Sequence, residues 1–269
     1  MSLLVPKTFS LLCNSDPVSG ALFKSDDGSK FVVQLNQPIS IPSEAVGVTL
    51  QVEQASVWNV SYNISRDIGN NRFVFSAVGV THTVLIPDGQ YSLAGFNKML
   101  QRFLLGVGLA EDLIVLTGDD SNSRIIITFL NNTTVVDFSG SGTCREMLGF
   151  NSRPVPNGPR PAGKVIELAD KTAQFNRVNS YVIQTDLVSD GIPVNNSASG
   201  VIANIQIDVK SGRLINYQPR HPTVVDATEL AGRKISRFEV RLRDQNTRPV
   251  NTVGENYTVL IALRYLMPR

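Results

Sequence analysis

Residues 234–243 read KISRFEVRLR, and residues 257–266 read YTVLIALRYL. In the first, Phe238, Val240 and Leu242 alternate with Arg237, Glu239, Arg241 and Arg243. A spacing of two marks a strand with one face on a core and the other in water. The pattern extends outward along the chain. Phe31, Val33 and Leu35 alternate with Val32, Gln34 and Asn36, and residues 202–209 follow the same period. Val46, Val48, Leu50 and Val52 alternate with Gly47, Thr49, Gln51 and Glu53, and Trp58 closes that run as a core residue. Turn-forming runs separate the segments: DDGS at 26–29, SDGIP at 189–193 and KSGR at 210–213. Many strands punctuated by turn chemistry predict an antiparallel sandwich or barrel rather than a βαβ sheet.

One stretch changes period. In PDGQYSLAGFNKMLQRFL (87–104), Leu93, Phe96, Leu100, Phe103 and Leu104 stand at helical spacing behind Ser92 as N-cap. DLIVL (112–116), RIIITF (124–129) and VVDF (135–138) read as strands, and CREMLGF (144–150) as a short helix ending near Gly149. Residues 66–152 thus form an α+β insertion. It gives way at 151–163 to NSRPVPNGPRPAG, whose four prolines predict a linker or an extended surface wrap. Residues 1–65 and 164–269 are left to build the sandwich.

Of the 269 residues 42% are hydrophobic and 18% charged, which is less than the roughly 25% of an average soluble domain. Either much of the polar surface is uncharged or partners cover part of it. The net charge of +2 and the absence of a basic run leave no electrostatic footprint for nucleic acid. Cys13 and Cys144 match no redox or thiolate-metal spacing and read as buried free thiols. The opening MSLLVPKTFSLL lacks the features of a signal peptide, and no apolar run approaches a membrane span, so synthesis in a cytosol is expected.

Catalytic chemistry is sparse. His82 and His221 are the only histidines. His82, in THTVLI, is read as pointing away from Val84 and Ile86; His221 lies in the loop YQPRHP. HExxH and GxSxG motifs are absent, and GVGLAED (106–112) lacks the lysine and hydroxyl of a phosphate cradle. DDSNS (119–123) is weighed as a loose calcium loop and read as a hairpin turn. The Asn-X-Ser/Thr sites, among them Asn59, Asn63 and Asn131, are read as chance in an Asn/Ser/Thr-rich β protein. No catalytic residue, metal site or cofactor is expected. Leu3, Leu4 and Val5, ahead of Pro6, suggest instead an apolar arm that anchors on a neighbour.

The succession FVVQLNQPISIP, VTLQVEQASVWNVSYNI, NNRFVFSA, TVLIPDGQYSLAGFNKMLQRFL and REMLGF resembles the penton (vertex) proteins of double-stranded DNA viruses of the adenovirus-like and polinton/virophage lineage. VNSYVIQTDLVSDGIPVNN, VIANIQIDVKSGRLINYQP, ISRFEVRLRDQNTRPV and GENYTVLIALRY are similar to later strands of that family, so the likeness runs in order from residue 30 to 266. It implies a single jelly roll of two four-stranded sheets, with the insertion projecting as a surface module, and leaves open whether that module binds a receptor, carries a spike or covers the shell. It also implies a homopentamer plugging the fivefold vertices of an icosahedral virion, beside a major capsid protein with a double jelly roll. Leu3, Leu4 and Val5, with Pro154, Pro156 and Pro159 of the proline-rich run, are the candidate assembly contacts. Two alternatives stay open: a small major capsid protein or spike base forming trimers, and a β-sandwich binding module or carbohydrate hydrolase. The last would need a carboxylate pair about 5–10 Å apart.

Overall fold

A computed structural model describes residues 4–18, 21–158, 160–194 and 199–268. The chain divides into two units, Met1–Ser61 with Val178–Arg269, and Tyr62–Arg177. The first unit opens with β1 (Leu4–Asn14), β2 (Ala21–Lys24), β3 (Lys30–Ser40) and β4 (Val46–Trp58). The inserted unit holds β5 (Arg72–Ala77), β6 (Val80–Leu85), α1 (Leu93–Gly106), β7 (Ile114–Asp119), β8 (Arg124–Phe129), β9 (Val135–Asp137), α2 (Arg145–Leu148), β10 (Pro154–Val155) and β11 (Val165–Thr172). The chain then returns through β12 (Ser180–Thr185), β13 (Val201–Gln206), β14 (Leu214–Tyr217), β15 (Val225–Asp226), β16 (Lys234–Asp244) and β17 (Thr258–Pro268).

The first unit contains two antiparallel sheets, ordered β1-β17-β4-β14, with β15 also on β4, and β13-β12-β16-β3-β2. Setting aside the short β2 and β15, eight strands remain, and they pair in a nested series. The first pairs with the last (β1·β17), the second with the seventh (β3·β16), the third with the sixth (β4·β14) and the fourth with the fifth (β12·β13). A long nested hairpin rolled into two facing sheets is a jelly roll. Val48, Leu50, Ile261 and Leu263 from one sheet and Phe31, Ile183, Phe238 and Leu242 from the other fill a single core. Each such burial contributes about 1.5–3 kcal/mol. Tyr181 and Tyr257 keep polar tips inside it: the Tyr181 hydroxyl lies 2.5 Å from that of Ser61, and the Tyr257 hydroxyl donates to the Ser29 carbonyl at 3.2 Å.

Two bulges in β4 reset its alternation. Leu260 faces Gln54 while Ile261 faces Val52, which leaves Glu53 as the extra residue. Likewise Arg264 faces Thr49 and Leu266 faces Val46, so Gly47 and Val48 together oppose Tyr265, with Gly47 at φ +59°. A bulge changes which face the following residues occupy, and a glycine at positive φ is a common way to make one. Val46 and Trp58 are therefore on the outward side rather than in the core that strict alternation predicts for both. Val46 is exposed and Trp58 half-buried.

The inserted unit builds a second core between two smaller sheets, β10-β9-β5-β6 and β11-β8-β7. Helix α1 adds Phe96, Leu100 and Leu104 to it, all buried. Its start follows the predicted cap, with the Gly95 N–H donating to Ser92 Oγ at 3.1 Å. Asn97 clips the helix to β7, donating to the Leu116 carbonyl at 2.6 Å and accepting the Leu116 N–H at 3.0 Å. The boundaries differ from those read in the sequence. Residues 165–172, assigned there to the sandwich, pair with β8 as β11 and bury Val165 and Ala169 in the inserted core. The proline-rich run is likewise more than a linker, since Val155 pairs with Val136 and is fully buried.

Candidate assembly surface

Leu4 and Val5 do not extend as an arm. They begin β1, opposite Pro268 and Met267, and the pairing with β17 continues without a break to Asn14. This register turns half-buried Phe9 and Leu11 and fully buried Cys13 inward, and Leu4 and Leu12 outward, 46% and 73% exposed. β1 ends its sheet, so its second edge has no strand beside it among the described residues. Pro6, lacking an N–H, and Lys7 are the residue types that keep such edges from indiscriminate pairing. Pro154 is exposed on β10, whereas Pro156 is buried. Arg153 clamps this segment to β11 through Glu167 and Asp170, each at 2.9 Å. The sequence-predicted contacts thus fall in different units, and Leu3 and Pro159 lie outside the described residues.

Several groups that might carry chemistry have structural contacts instead. His82 is half-buried and stacks on Phe75 with ring centroids 5.0 Å apart. It shares a face with Val84 and Ile86, as a spacing of two requires, so the outward reading of His82 is corrected. His221 is exposed and lines a shallow groove of about 570 Å³ with Gln218, Arg220, Val224 and Leu260. Burial pushes the Cys13 and Cys144 thiols up to about 12, which makes both poor nucleophiles. Asp119 spends its carboxylate on its own turn, accepting from the Ser121 N–H and hydroxyl at 2.9 and 2.6 Å and from Asn122 at 2.6 Å. The Ser121 bonds hold its pKa below the usual carboxylate value. Burial works to raise the pKa of Asp27, but bonds from Ser25 and Ser29 lower it overall. Asn59 and Asn63, read as chance sequons, are buried; Asn63 holds the Tyr91 and Phe175 carbonyls at 2.7 and 2.9 Å. Among the described residues no three metal-ligating side chains gather, and no helix is long and apolar enough to cross a membrane.

Neither a protein-family model nor a curated protein matches the chain. Among solved structures, the mavirus penton protein is similar at 12% identity and a TM-score of 0.45, over 97% of this chain and 100% of that one. A chain of the Sputnik virophage structure is similar at 13% identity and a TM-score of 0.41, over 96% of this chain and 97% of that one.

Proposed function

We propose that this chain is a structural subunit of an icosahedral virion, assembling as a homopentamer at the capsid vertices. The observation that carries the reading is the open edge of the jelly roll. β1 is the last strand of its sheet among the described residues, with exposed Leu4 and Leu12 along it. A long edge of that kind is an aggregation hazard in a free monomer and a docking element in an assembly. The penton-like order of sequence segments agrees with this role. Residues 3–5 and Pro154, Pro156 and Pro159 remain our candidates for contacts with neighbouring subunits, including a double jelly-roll major capsid protein. The inserted unit is the surface module, available to a spike or receptor, and the subunit is made in the host cytosol before it joins the virion.

Light scattering on the purified full chain over a wide concentration range tests the proposal. Five times the mass of the 29.3 kDa chain is the expected limit. A trimer, or a monomer at every concentration, overturns it.

A further inference from the structure

The two outer faces of the sandwich differ in charge. On the sheet β13-β12-β16-β3-β2, the residues that alternate with core Phe238, Val240 and Leu242 are Arg237, Glu239, Arg241 and Arg243, with Lys30 beside Arg241 on β3. Glu239 lies 2.6 Å from Arg241 and 3.7 Å from Lys30, so this face is an ionic lattice suited to water. The other sheet turns out Leu4, Leu12, Leu260 and Leu266 by alternation with its core residues, and Val46 and Trp58 through the bulges of β4. They form rows across strands. Pro6, Leu266 and Val46 are cross-strand neighbours at one end, and Leu12 and Leu260 are paired towards the other. Trp58 stands opposite Leu214 on β4 and β14. The polar positions between are mostly neutral. The charges on the strands are the Glu53–Arg264 pair at 2.8 Å and Asp226, which accepts the Thr228 N–H at 2.7 Å, while exposed Arg220 and His221 border the face at the groove beside Leu260 and Arg264.

We propose that the outer face of the sheet β1-β17-β4-β14 is where a second copy of this chain seats, an inference that rests on the assembly reading above. Apolar rows stand at both ends of this face, with Thr8, Ser10, Thr49, Gln51 and the Glu53–Arg264 pair between them, and contacts between identical subunits are the more apolar kind. Three strands of about eleven residues at about 3.4 Å each, with the four-residue β14 beside them and about 4.8 Å between strands, give a face of roughly 600 Å², so it would supply most but not all of the ~800 Å² per partner of a stable interface. The open edge of β1 continues the same surface. In a ring the contact is heterologous, so this face meets a different patch of the next copy. The charged face is not that patch, because seating Arg237 against leucines would strip its guanidinium of water. With a net charge of +2, crowded copies repel one another little.

The test compares self-association of the full chain with that of two variants, after their melting temperatures are shown to match. Leu12→Lys with Val46→Glu charges the apolar face at two exposed positions; Gln34→Glu with Arg237→Glu alters the ionic face. The first is expected to weaken association by about tenfold or more and the second by about twofold at most. An apolar-face variant that assembles like the parent overturns the inference and leaves the assembly reading intact. A parent that stays monomeric overturns both. Trp58, the single tryptophan, supplies a readout without mutation. Its emission is expected to move to shorter wavelength over the concentration range in which mass rises, and an unchanged spectrum across assembly overturns the inference.

Discussion

Gly149 closes α2 at φ +81°, and a Cβ added there would stand 2.2 Å from the Lys171 carbonyl oxygen. The left-handed backbone and the close approach both demand glycine. Gly149→Ala is therefore expected to lose about 2–4 kcal/mol, read as a lower urea midpoint, and an unmoved midpoint would refute the account. The turn at Gly149 was visible in CREMLGF as a helix stop. Its crowding against Lys171 was not, because the neighbour arrives from a strand more than twenty residues later. His82 teaches the opposite lesson. Its place beside Val84 and Ile86 follows from period alone, and the stack on Phe75 merely completes it.

Two elements in the inserted unit depend on single side chains. Asn97 satisfies both backbone groups of Leu116, so Asn97→Ala leaves a partly buried donor and acceptor unpaired. A loss of about 1–3 kcal/mol is expected by chemical denaturation; a cost near zero would mean that water replaces the carboxamide. The clamp on β11 is ionic. Burial works to raise the Asp170 pKa, but bonds from Arg153 and the Asn151 N–H and the charge of Arg153 lower it overall. A carboxylate with a lowered folded pKa stabilises fully above its unfolded value, about 3.9, and loses that contribution as pH falls through the folded pKa. The difference in melting temperature between the parent and Asp170→Asn should thus be steady from neutral pH to about pH 5 and shrink below pH 4. A difference independent of pH would sink this assignment. Nothing local in residues 165–172 says which core Val165 and Ala169 join. Only the vacant edge of β8 decides which sheet receives β11.

For the molecule as a whole, the sequence determined that the chain is a strand-rich sandwich interrupted by an α+β insertion, because alternation at spacing two and helical spacing are local properties of adjacent residues. It determined α1 with its Ser92 cap for the same reason. It also left a question in the low charge content, whether the surface is neutral or covered. The nested pairing of β1 with β17 was beyond local reading, since it joins residues about 250 positions apart, and so an apolar start that reads as an arm is in fact an edge strand. The arginine row of one outer face was already legible in KISRFEVRLR, whereas the apolar rows of the other were not, because they join β1, β17 and β4 from distant parts of the chain. Tertiary structure also decided the side taken by Val46 and Trp58. Each bulge in β4 inserts one unpaired residue, and with a side-chain period of two a single extra residue exchanges inside for outside.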